Sequence, residues 1–178
     1  VILADASSAH KAFSGHEEMV FSELQSAAID TEGITEWTIE KEVEPGVYSL
    51  NDYNFQKSRT CLYTSAAASP PHAASQYQLY DYPGEYESAA DGDRLAQNRL
   101  DELQSQHEVL RGQATTLGVA TGCKFKLKNH PRQDQNREYL ITGMSFHLDS
   151  GAYGSGGDRG EFFNCSFQAI PFTQTFRS

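Results

Sequence analysis

The chain of 178 residues is long enough to bury a hydrophobic core in one or two small domains. Its net charge of −10 argues against a nucleic-acid partner, because phosphate binding needs clustered cations. It contains no run of 18 apolar residues, so no membrane span is predicted, and its 10 Phe and 9 Tyr argue against disorder.

The first part of the chain predicts short strands. Apolar residues at 1–3 and 19–24 indicate two strands separated by a polar loop. Residues 34–43 alternate between polar and apolar side chains, which is typical of a strand with one buried face. The turn predicted at Pro45-Gly46 makes residues 47–50 the returning strand of a hairpin.

The middle of the chain predicts a break and then a strand. Residues 59–64 are a further strand candidate, and the small residues of 65–75, with two consecutive prolines, predict a linker or exposed loop. Residues 77–82 predict a strand that ends at the Pro83-Gly84 turn.

One long helix is predicted over residues 91–112. Asp91 or Asp93 can cap its N-terminus, and Gly112 suits its C-terminus. Five residues recur with helical spacing and form one stripe, which predicts a helix packed on its own sheet. They are Ala96, Leu100, Leu103, His107 and Leu110.

Three strands are predicted after the helix, at residues 119–130, 139–148 and 162–172. Gly143 indicates a bulge in the second of them, and the glycines of residues 151–160 predict a flexible loop. The alternation places an apolar set on the core side and a lysine set on the opposite side. The apolar set is Cys123, Phe125, Leu127, Phe163 and Phe167, and the lysine set is Lys124, Lys126 and Lys128.

These elements predict a mainly β fold with β-barrel-like domains and one long helix near 91–112. The charge is uneven, since residues 1–112 carry 19 acids and 7 bases and residues 113–178 carry 5 acids and 7 bases. The acidic front and the basic rear are either solvated surface or meet across subunits. The lysine strip is too short for nucleic acid, so we expect it to be solvated or paired with acids of another subunit.

No pattern of cysteine, histidine or acid predicts a site. The three cysteines are odd in number and far apart, which favours free thiols in a reducing compartment over disulfides. Cys123 or Cys165 could act as a nucleophile with His147 and Asp149, but both lie on an apolar strand face where core packing is favoured.

Metal, phosphate and paired-acid sites are disfavoured too. The segment His16-Glu17-Glu18 lacks the second histidine of a zinc helix, and we expect His10 and His16 to be solvated in a loop. His130 and His147 could approach each other but lack a third ligand. The run of residues 151–157 has no Gly-Lys-Ser/Thr ending and no following helix, so it does not predict a phosphate cradle. The acids Asp81, Glu85 and Glu87 fit turn and rim positions better than a catalytic pair.

Several motifs follow one another in a fixed order and spacing, which together resemble the VgrG family, the spike proteins of type VI secretion, in the part related to the hub of contractile phage tails. The pieces are Asp81-Tyr82-Pro83-Gly84, residues 93–96 and 99–103, Phe125-Lys126-Leu127 with His130-Pro131, Asn136 with Tyr139-Leu140-Ile141-Thr142, His147, and residues 167–172, with residues 1–5 and Asp52-Tyr53-Asn54-Phe55 matching less specifically.

The resemblance implies a phage tail hub-like fold, with residues 1–70 as part of one β-barrel-like hub domain and residues 71–178 as a second with the inserted helix. It implies a structural part of a homotrimeric spike that docks on the hexameric tube protein Hcp, with effectors or a tip protein bound through regions outside this chain. It implies no catalytic, cofactor-binding or metal residue, because added domains carry enzymatic activity in that family. It also implies assembly in the bacterial cytoplasm and translocation into a target cell.

Other functions stay open beside this one. A carbohydrate- or protein-binding β module could use the exposed tyrosines, a contractile phage-tail hub protein shares the same motifs, and a hydrolase would need the clustered acids or the Cys/His pair. The strand-like start at Val1, without an initiator Met, favours an internal fragment of a longer protein.

Overall fold

Two β-sheets and a long helix make up the computed structural model, which describes residues 4, 6–22, 32–68, 73–149 and 162–177. The mainly β fold with one long helix is confirmed. The elements in chain order are β1 (Glu18–Val20), β2 (Ile34–Lys41), β3 (Val47–Leu50), β4 (Thr64–Ala67), β5 (Gln78–Asp81), α1 (Ala89–Gln106), β6 (Glu108–Ala114), β7 (Lys124–Lys128), β8 (Glu138–Asp149) and β9 (Phe162–Pro171). The strand predicted at residues 1–3 and the loop predicted at 151–160 lie outside the described residues.

The chain divides into two compact units. Residues 1–40 and 109–174 form the sheet unit, and residues 41–108 and 175–178 form the helix unit. The chain leaves the sheet unit after β2 and returns with β6. The division into hub domains at residues 1–70 and 71–178 uses a different boundary and remains a prediction.

The six-stranded sheet of the sheet unit has the order β1-β7-β8-β9-β6-β2. Its two outer strands meet where β1 ends and β2 begins, because Phe21 bridges Ile34 and the Ser22 N–H donates to the Ile34 carbonyl at 2.9 Å. Gly33 makes this approach possible, since a Cβ there would lie 2.7 Å from the Val20 carbonyl oxygen. The bridge therefore closes the sheet into a barrel-like wall.

Aromatic side chains fill the core of the sheet unit. Trp37 from β2 packs edge-on against Tyr139 and Phe125, with ring centroids 4.9 and 6.3 Å away, and lies 6.1 Å from Phe167. The Trp37 indole N–H donates to the Gln135 side-chain oxygen at 3.4 Å, and the Tyr139 hydroxyl donates to the Gln135 carbonyl at 2.9 Å. The polar atoms of these large side chains thus have partners inside the core.

Strand alternation was predicted well here. On β7, Phe125 and Leu127 are buried and the three lysines between and beside them are partly exposed. The predicted bulge at Gly143 is confirmed, because the register of β8 on β9 shifts between Ile141 and Gly143. Phe167 is buried, whereas Phe163 is only partly buried and packs against the edge of the core.

The helix unit is a three-stranded sheet, in the order β4-β3-β5, with α1 packed on one face. Strand β4 runs antiparallel to β3, whereas β5 runs parallel to it. The core lies between α1 and this face, because alternate residues of the strands point toward the helix. Its buried members are Tyr48, Leu50, Leu62, Ala66, Tyr86, Ala96 and Leu100.

Helix α1 begins and ends earlier than predicted. Ser88 is the N-cap, and its hydroxyl oxygen accepts the Asp91 N–H at 3.3 Å while donating to the Asp91 carboxylate at 2.7 Å. The helix ends at Gln106, so the prediction of helix to Gly112 was wrong. Residues 108–114 alternate between buried and more exposed positions and pair with β9, and this pairing overrides the helical spacing.

Two predicted strand arrangements were also wrong. Strands β2 and β3 do not form a hairpin but lie in different sheets, and the Glu42 N–H instead donates to the His107 carbonyl at 2.9 Å. The strand predicted over 59–64 begins only at Thr64 and continues into the predicted linker. Small residues at 65–67 are compatible with a strand here because α1 covers Ala66.

Candidate functional site

Of the two cysteines considered as nucleophiles, Cys123 is partly buried and Cys165 lies in the core of the sheet unit. Cys165 is fully buried on β9 opposite Phe146, and burial raises the pKa of its thiol. His147 lies one residue further along β8, opposite Asn164, so its side chain leaves the other face of the sheet. The structure therefore does not bring Cys165 and His147 together, and the Asp149 side chain lies outside the described part of the chain.

The histidines serve local structure. His10 hydrogen-bonds the Gly122 carbonyl at 2.9 Å through Nδ1, and His16 contacts the Thr116 hydroxyl at 3.2 Å. His130 packs on Phe21 at 4.7 Å between ring centroids, and its backbone N–H donates to Asn136 Oδ1 at 2.9 Å. Among the residues that the structure describes, no three His, Cys, Asp or Glu side chains converge as metal ligands.

The predicted basic strip pairs within its own chain. Lys124 contacts Glu138 at 3.1 Å on the neighbouring strand and also lies 4.7 Å above the Phe172 ring, and Lys128 contacts Glu18 at 3.1 Å. These exposed pairs are weak, but they give the lysines partners without a second subunit. The expected pairing with another subunit is therefore not needed for Lys124 and Lys128.

The Asp81-Tyr82-Pro83-Gly84 turn positions a buried tyrosine in the helix unit. The ring of Tyr86 lies against Gly84 on one side and Gly92 on the other, where added Cβ atoms would lie 2.3 and 2.5 Å from ring carbons. Its hydroxyl donates to the Leu62 carbonyl at 2.5 Å, and its N–H donates to the Asp52 carboxylate at 3.2 Å. The motif therefore anchors α1 to the loop before β4.

The acids Asp81, Glu85 and Glu87, which we considered as paired catalytic acids, lie at or near the Asp81-Tyr82-Pro83-Gly84 turn, and Glu87 is exposed. Asp81 accepts the Tyr48 hydroxyl at 3.2 Å, and Glu85 adopts a left-handed backbone with φ of 57°. Nearby, backbone N–H groups of Tyr53 and then Tyr86 stabilise the charged form of Asp52 and lower its pKa. Asp52 is the residue through which the Asp52-Tyr53-Asn54-Phe55 segment contacts the turn.

The sheet unit carries a groove of about 440 Å³ over β2, β6, β8 and β9. Two of its polar side chains have partners, because Arg111 pairs with Glu40 at 3.0 Å and Gln113 donates to Glu36 at 2.7 Å. Acids of β2 thus pair with two of the polar side chains in the groove, and Met144 and Phe167 add apolar surface to it.

The strongest candidate for a functional surface is β5 with one residue on either side, residues 77–82, which we call the aromatic edge. All four residues of β5 are exposed, although Leu79 and Tyr80 point to opposite faces of the sheet. Tyr77, Tyr80 and Tyr82 are each more than half exposed. Exposed tyrosines on a sheet edge are characteristic of binding surfaces, because one end of the ring is apolar and the other can hydrogen-bond.

A buried polar network supports the aromatic edge from the β3 side. Ser49 is fully buried and donates to Ser65 at 2.9 Å, while it accepts bonds from the Tyr63 hydroxyl at 3.2 Å and the Gln78 amide at 2.7 Å. Hydrogen bonds with Ser49 and then Gln78 lower the pKa of Tyr63. Sequence reasoning noticed the tyrosines but missed this network, for which no local spacing gives a signal.

The family profile described as phage tail baseplate hub (GPD) matches residues 1–152. The type VI secretion system spike protein VgrG1a of Pseudomonas aeruginosa is 36% identical over 178 residues, 99% of this chain and 28% of that protein. The spike protein VgrG1c of the same species is also 36% identical, over 99% of this chain and 24% of its own length. The chain thus spans about a quarter of the length of these relatives.

Solved structures share the fold at low sequence identity. The 43 kDa tail protein of prophage MuSo2 from Shewanella oneidensis superposes with a TM-score of 0.64 at 10% identity, over 94% of this chain and 46% of that one. A tail protein from Neisseria meningitidis MC58 gives a TM-score of 0.56 at 10% identity, over 94% and 50% of the two chains. The predicted phage tail hub-like fold is confirmed. None of the described helices has the length and apolar composition to cross a membrane.

Proposed function

Because this chain belongs to the phage tail baseplate hub family, we propose that it is a structural part of the hub at the base of a type VI secretion spike. The observation that carries the proposal is the match to VgrG1a over 99% of this chain at 36% identity. The described residues suit such a role, because those considered as reactive groups have structural positions instead. Cys165 packs in the core, the histidines make local contacts, and the acids lie at turns or in surface ion pairs. The hub acts mechanically, so a rigid barrel-like wall and interaction surfaces matter more than reactive groups.

The proposal includes the partners and location that the resemblance implies. The chain contributes to a homotrimer that docks on an Hcp-like hexameric tube protein, assembles in the bacterial cytoplasm and is translocated into a target cell. Effectors or a tip protein bind through regions outside this chain. We keep residues 1–70 and 71–178 as parts of two barrel-like hub domains within that assembly.

We propose no catalytic activity for this chain itself. The Vibrio cholerae relative called actin cross-linking toxin VgrG1 is 27% identical over 158 residues, which cover only 14% of that protein. The buried, apolar surroundings of Cys165 disfavour a reactive thiolate. Cys165→Ala and Asp149→Ala variants should therefore leave every hub function intact, apart from a modest loss of stability in the first.

Binding to the tube protein tests the proposed function. Immobilised hexameric Hcp should retain this chain in a pull-down, and sedimentation velocity of the mixture should show a complex larger than the hexamer. A phage tail tube protein is the matched competitor, and preferential retention by it would reassign the chain to a phage-tail hub. No retention by either tube protein would overturn the structural role.

A binding module is the second candidate, and the exposed tyrosines of the aromatic edge favour it. Saturable binding of an oligosaccharide by monomeric chain, abolished by Tyr80→Ala, would support that function. Isothermal titration with oligosaccharides at high concentration is the measurement, and heat that does not saturate would eliminate the candidate.

A further inference from the structure

The outer side of β5 has unpaired backbone groups. In a parallel pair, successive residues direct their N–H and C=O groups alternately toward and away from the neighbouring strand. The Tyr77 carbonyl accepts the Val47 N–H at 3.1 Å, and the Asp81 carbonyl accepts the N–H of Asn51, just after β3, at 3.3 Å. Gln78 and Tyr80 therefore direct their backbone groups outward. No described residue hydrogen-bonds these backbone groups, and large exposed side chains flank them. Soluble proteins normally cover or block such an open strand edge.

The opposite edge of the same sheet is also open, but its side chains are small. The Ala68 N–H donates to the Gly46 carbonyl at 2.8 Å, so the backbone groups of Ala68 point toward β3. Because successive residues alternate in direction, the backbone groups of Ser65 and Ala67 point away from β3. Both residues are exposed. Within the part of the chain that the structure describes, this outer edge has no backbone partner.

We propose that β5 of one copy of this chain pairs antiparallel with β4 of a second copy, with Gln78 opposite Ala67 and Tyr80 opposite Ser65. In this register, each of the two pairs exchanges two N–H···O=C bonds. The pairing therefore satisfies all the outward backbone groups of both strands at once.

The side chains fit the same register. Ser65, Ala67, Gln78 and Tyr80 all lie on the face of the sheet that carries Ser49, so facing residues stay on one side of the joined sheet. Tyr80 would cover Ser65 of the second copy, and on the other face Leu79 would cover Ala66, beside the α1 helix that already packs there. Large residues thus meet small ones on both faces.

Strand direction and charge agree with a head-to-tail contact. Within one copy, β5 runs parallel to β3 and β4 runs antiparallel to it. When a rotation between copies keeps the direction of the strands, β5 of one copy therefore lies antiparallel to β4 of the next. A chain of net charge −10 resists self-association, yet β4 has no charged residue and β5 has only Asp81, which already accepts the Tyr48 hydroxyl. The joined strands therefore bring no like charges face to face.

The contact uses different surfaces on the two copies, so it forms a closed ring when the rotation closes. A ring of three rests on the proposed function, whereas the strand pairing itself does not. The experiment below separates the two.

Disulfide trapping between two single variants tests the pairing. Gln78→Cys and Ala67→Cys are made separately in the full chain with Cys61→Ser, mixed, and oxidised under mild conditions. Facing residues of this kind lie about 5.5 Å apart between Cα atoms, within the range that a disulfide spans. Within one chain the two positions flank Val47 on opposite sides, about 10 Å apart, so only a bond between copies can form.

We expect the mixture to give a covalent dimer of the two variants as the main product, far above either variant alone. Mass spectrometry should identify the peptide joining positions 78 and 67. The matched control is Leu79→Cys mixed with Ala67→Cys, in which the side chains leave opposite faces and cross-linking should fall sharply. Tyr80→Cys with Ser65→Cys is the second pair, used if either first variant fails to give the circular dichroism spectrum of the parent.

A dimer formed by Gln78→Cys alone would overturn the proposal in favour of symmetric β5–β5 pairing, and equal yields in the control would overturn the register. The double variant Gln78→Cys/Ala67→Cys then tests the ring. Cross-linked species that stop at three copies support both the strand pairing and the trimer. A series of cross-linked species that continues beyond three copies supports the strand pairing and overturns the trimer. Trimers in sedimentation without cross-linking overturn the pairing alone.

Discussion

The sheet unit and the helix unit treat the edges of their sheets differently. In the sheet unit, the bridge between Phe21 and Ile34 joins the outer strands, so the six-stranded sheet has little free edge where they meet. In the helix unit, a single helix covers one face, and both outer strands keep outward backbone groups. The comparison therefore contrasts a sheet whose outer strands meet with a sheet whose two edges stay open in the described residues.

Aromatic residues follow the same division. Trp37, Phe125, Tyr139 and Phe167 contact one another inside the sheet unit, whereas most tyrosines of the helix unit are exposed. The same residue types therefore stabilise a core in one unit and a candidate interface in the other. Four substitutions test this contrast.

Phe125→Ala should have the largest effect, because it removes a ring that is almost fully buried against Trp37. We expect a loss of about 3–5 kcal/mol in the free energy of unfolding. Urea unfolding followed by Trp37 fluorescence measures it. The matched control is Phe146→Ala on an exposed part of β8, where the change should stay within about 0.5 kcal/mol. Equal losses for the two variants would contradict the described core.

Gly33→Ala should weaken the closure of the sheet unit. The new Cβ would lie 2.7 Å from the Val20 carbonyl oxygen, and a backbone atom cannot yield as a flexible side chain can. We expect a loss of about 1–3 kcal/mol, with faster hydrogen exchange at the Ser22 N–H. Gly15→Ala is an unsuitable control because Gly15 has a positive φ, which alanine rarely adopts. The control is Ala12→Gly, three residues before Gly15, which should leave hydrogen exchange at the Ser22 N–H unchanged. Unchanged exchange at Ser22 would contradict closure by this bridge.

Gly92→Ala tests the packing of α1 in the helix unit. An alanine in a helix normally stabilises it by about 1 kcal/mol relative to glycine. Here the Cβ would meet the Tyr86 ring at 2.5 Å, and Gly84 leaves that ring little room on its other side. We therefore expect the opposite sign, a net loss on the order of 1 kcal/mol in thermal unfolding. In a Tyr86→Ala background the same change should become stabilising, and a loss that persists there would exclude the steric cause.

The smallest effect concerns pH and Asp52. Its pKa is lowered in the folded state, so its contribution to stability is present above the ordinary pKa of an aspartate and is lost as pH falls through the lowered value. Asp52→Asn should lower Tm at neutral pH, and the difference from the parent should shrink on acidification. The exposed Glu87→Gln is the control. A Tm difference that grows at acid pH would reverse the sign and contradict the bonds from Tyr53 and Tyr86.

Sequence patterns predicted the elements that are governed by local alternation. The faces of β7, the bulge at Gly143 and the last strand follow from a period of two and the properties of glycine. The end of α1 was missed because His107 and Leu110 fit a helical stripe, while pairing of β6 with β9 depends on residues far along the chain. The false hairpin between β2 and β3 has the same cause.

The candidate surface was only partly predictable. The sequence alone places tyrosines at both odd and even positions from 77 to 82. Since side chains alternate along a strand, this pattern predicts aromatic residues on both faces of the strand. The open edges depend on strand order, and the Ser49 network joins three strands, so neither has a local signature. The resemblance to VgrG supplied the fold and the proposed role, but it assigned no residue to an interface.

The hydrogen bond from Glu42 to His107 has an engineering consequence. It joins the chain where it leaves β2 to the chain where it enters β6, and these two strands are neighbours in one sheet. In chain order, the helix unit is thus an insertion between two strands that would otherwise be joined as a hairpin. Such an insertion can be replaced by a short turn or by another domain while the strands of the six-stranded sheet are kept. The junction between Glu42 and His107 is therefore a suitable site for joining segments of different hub proteins.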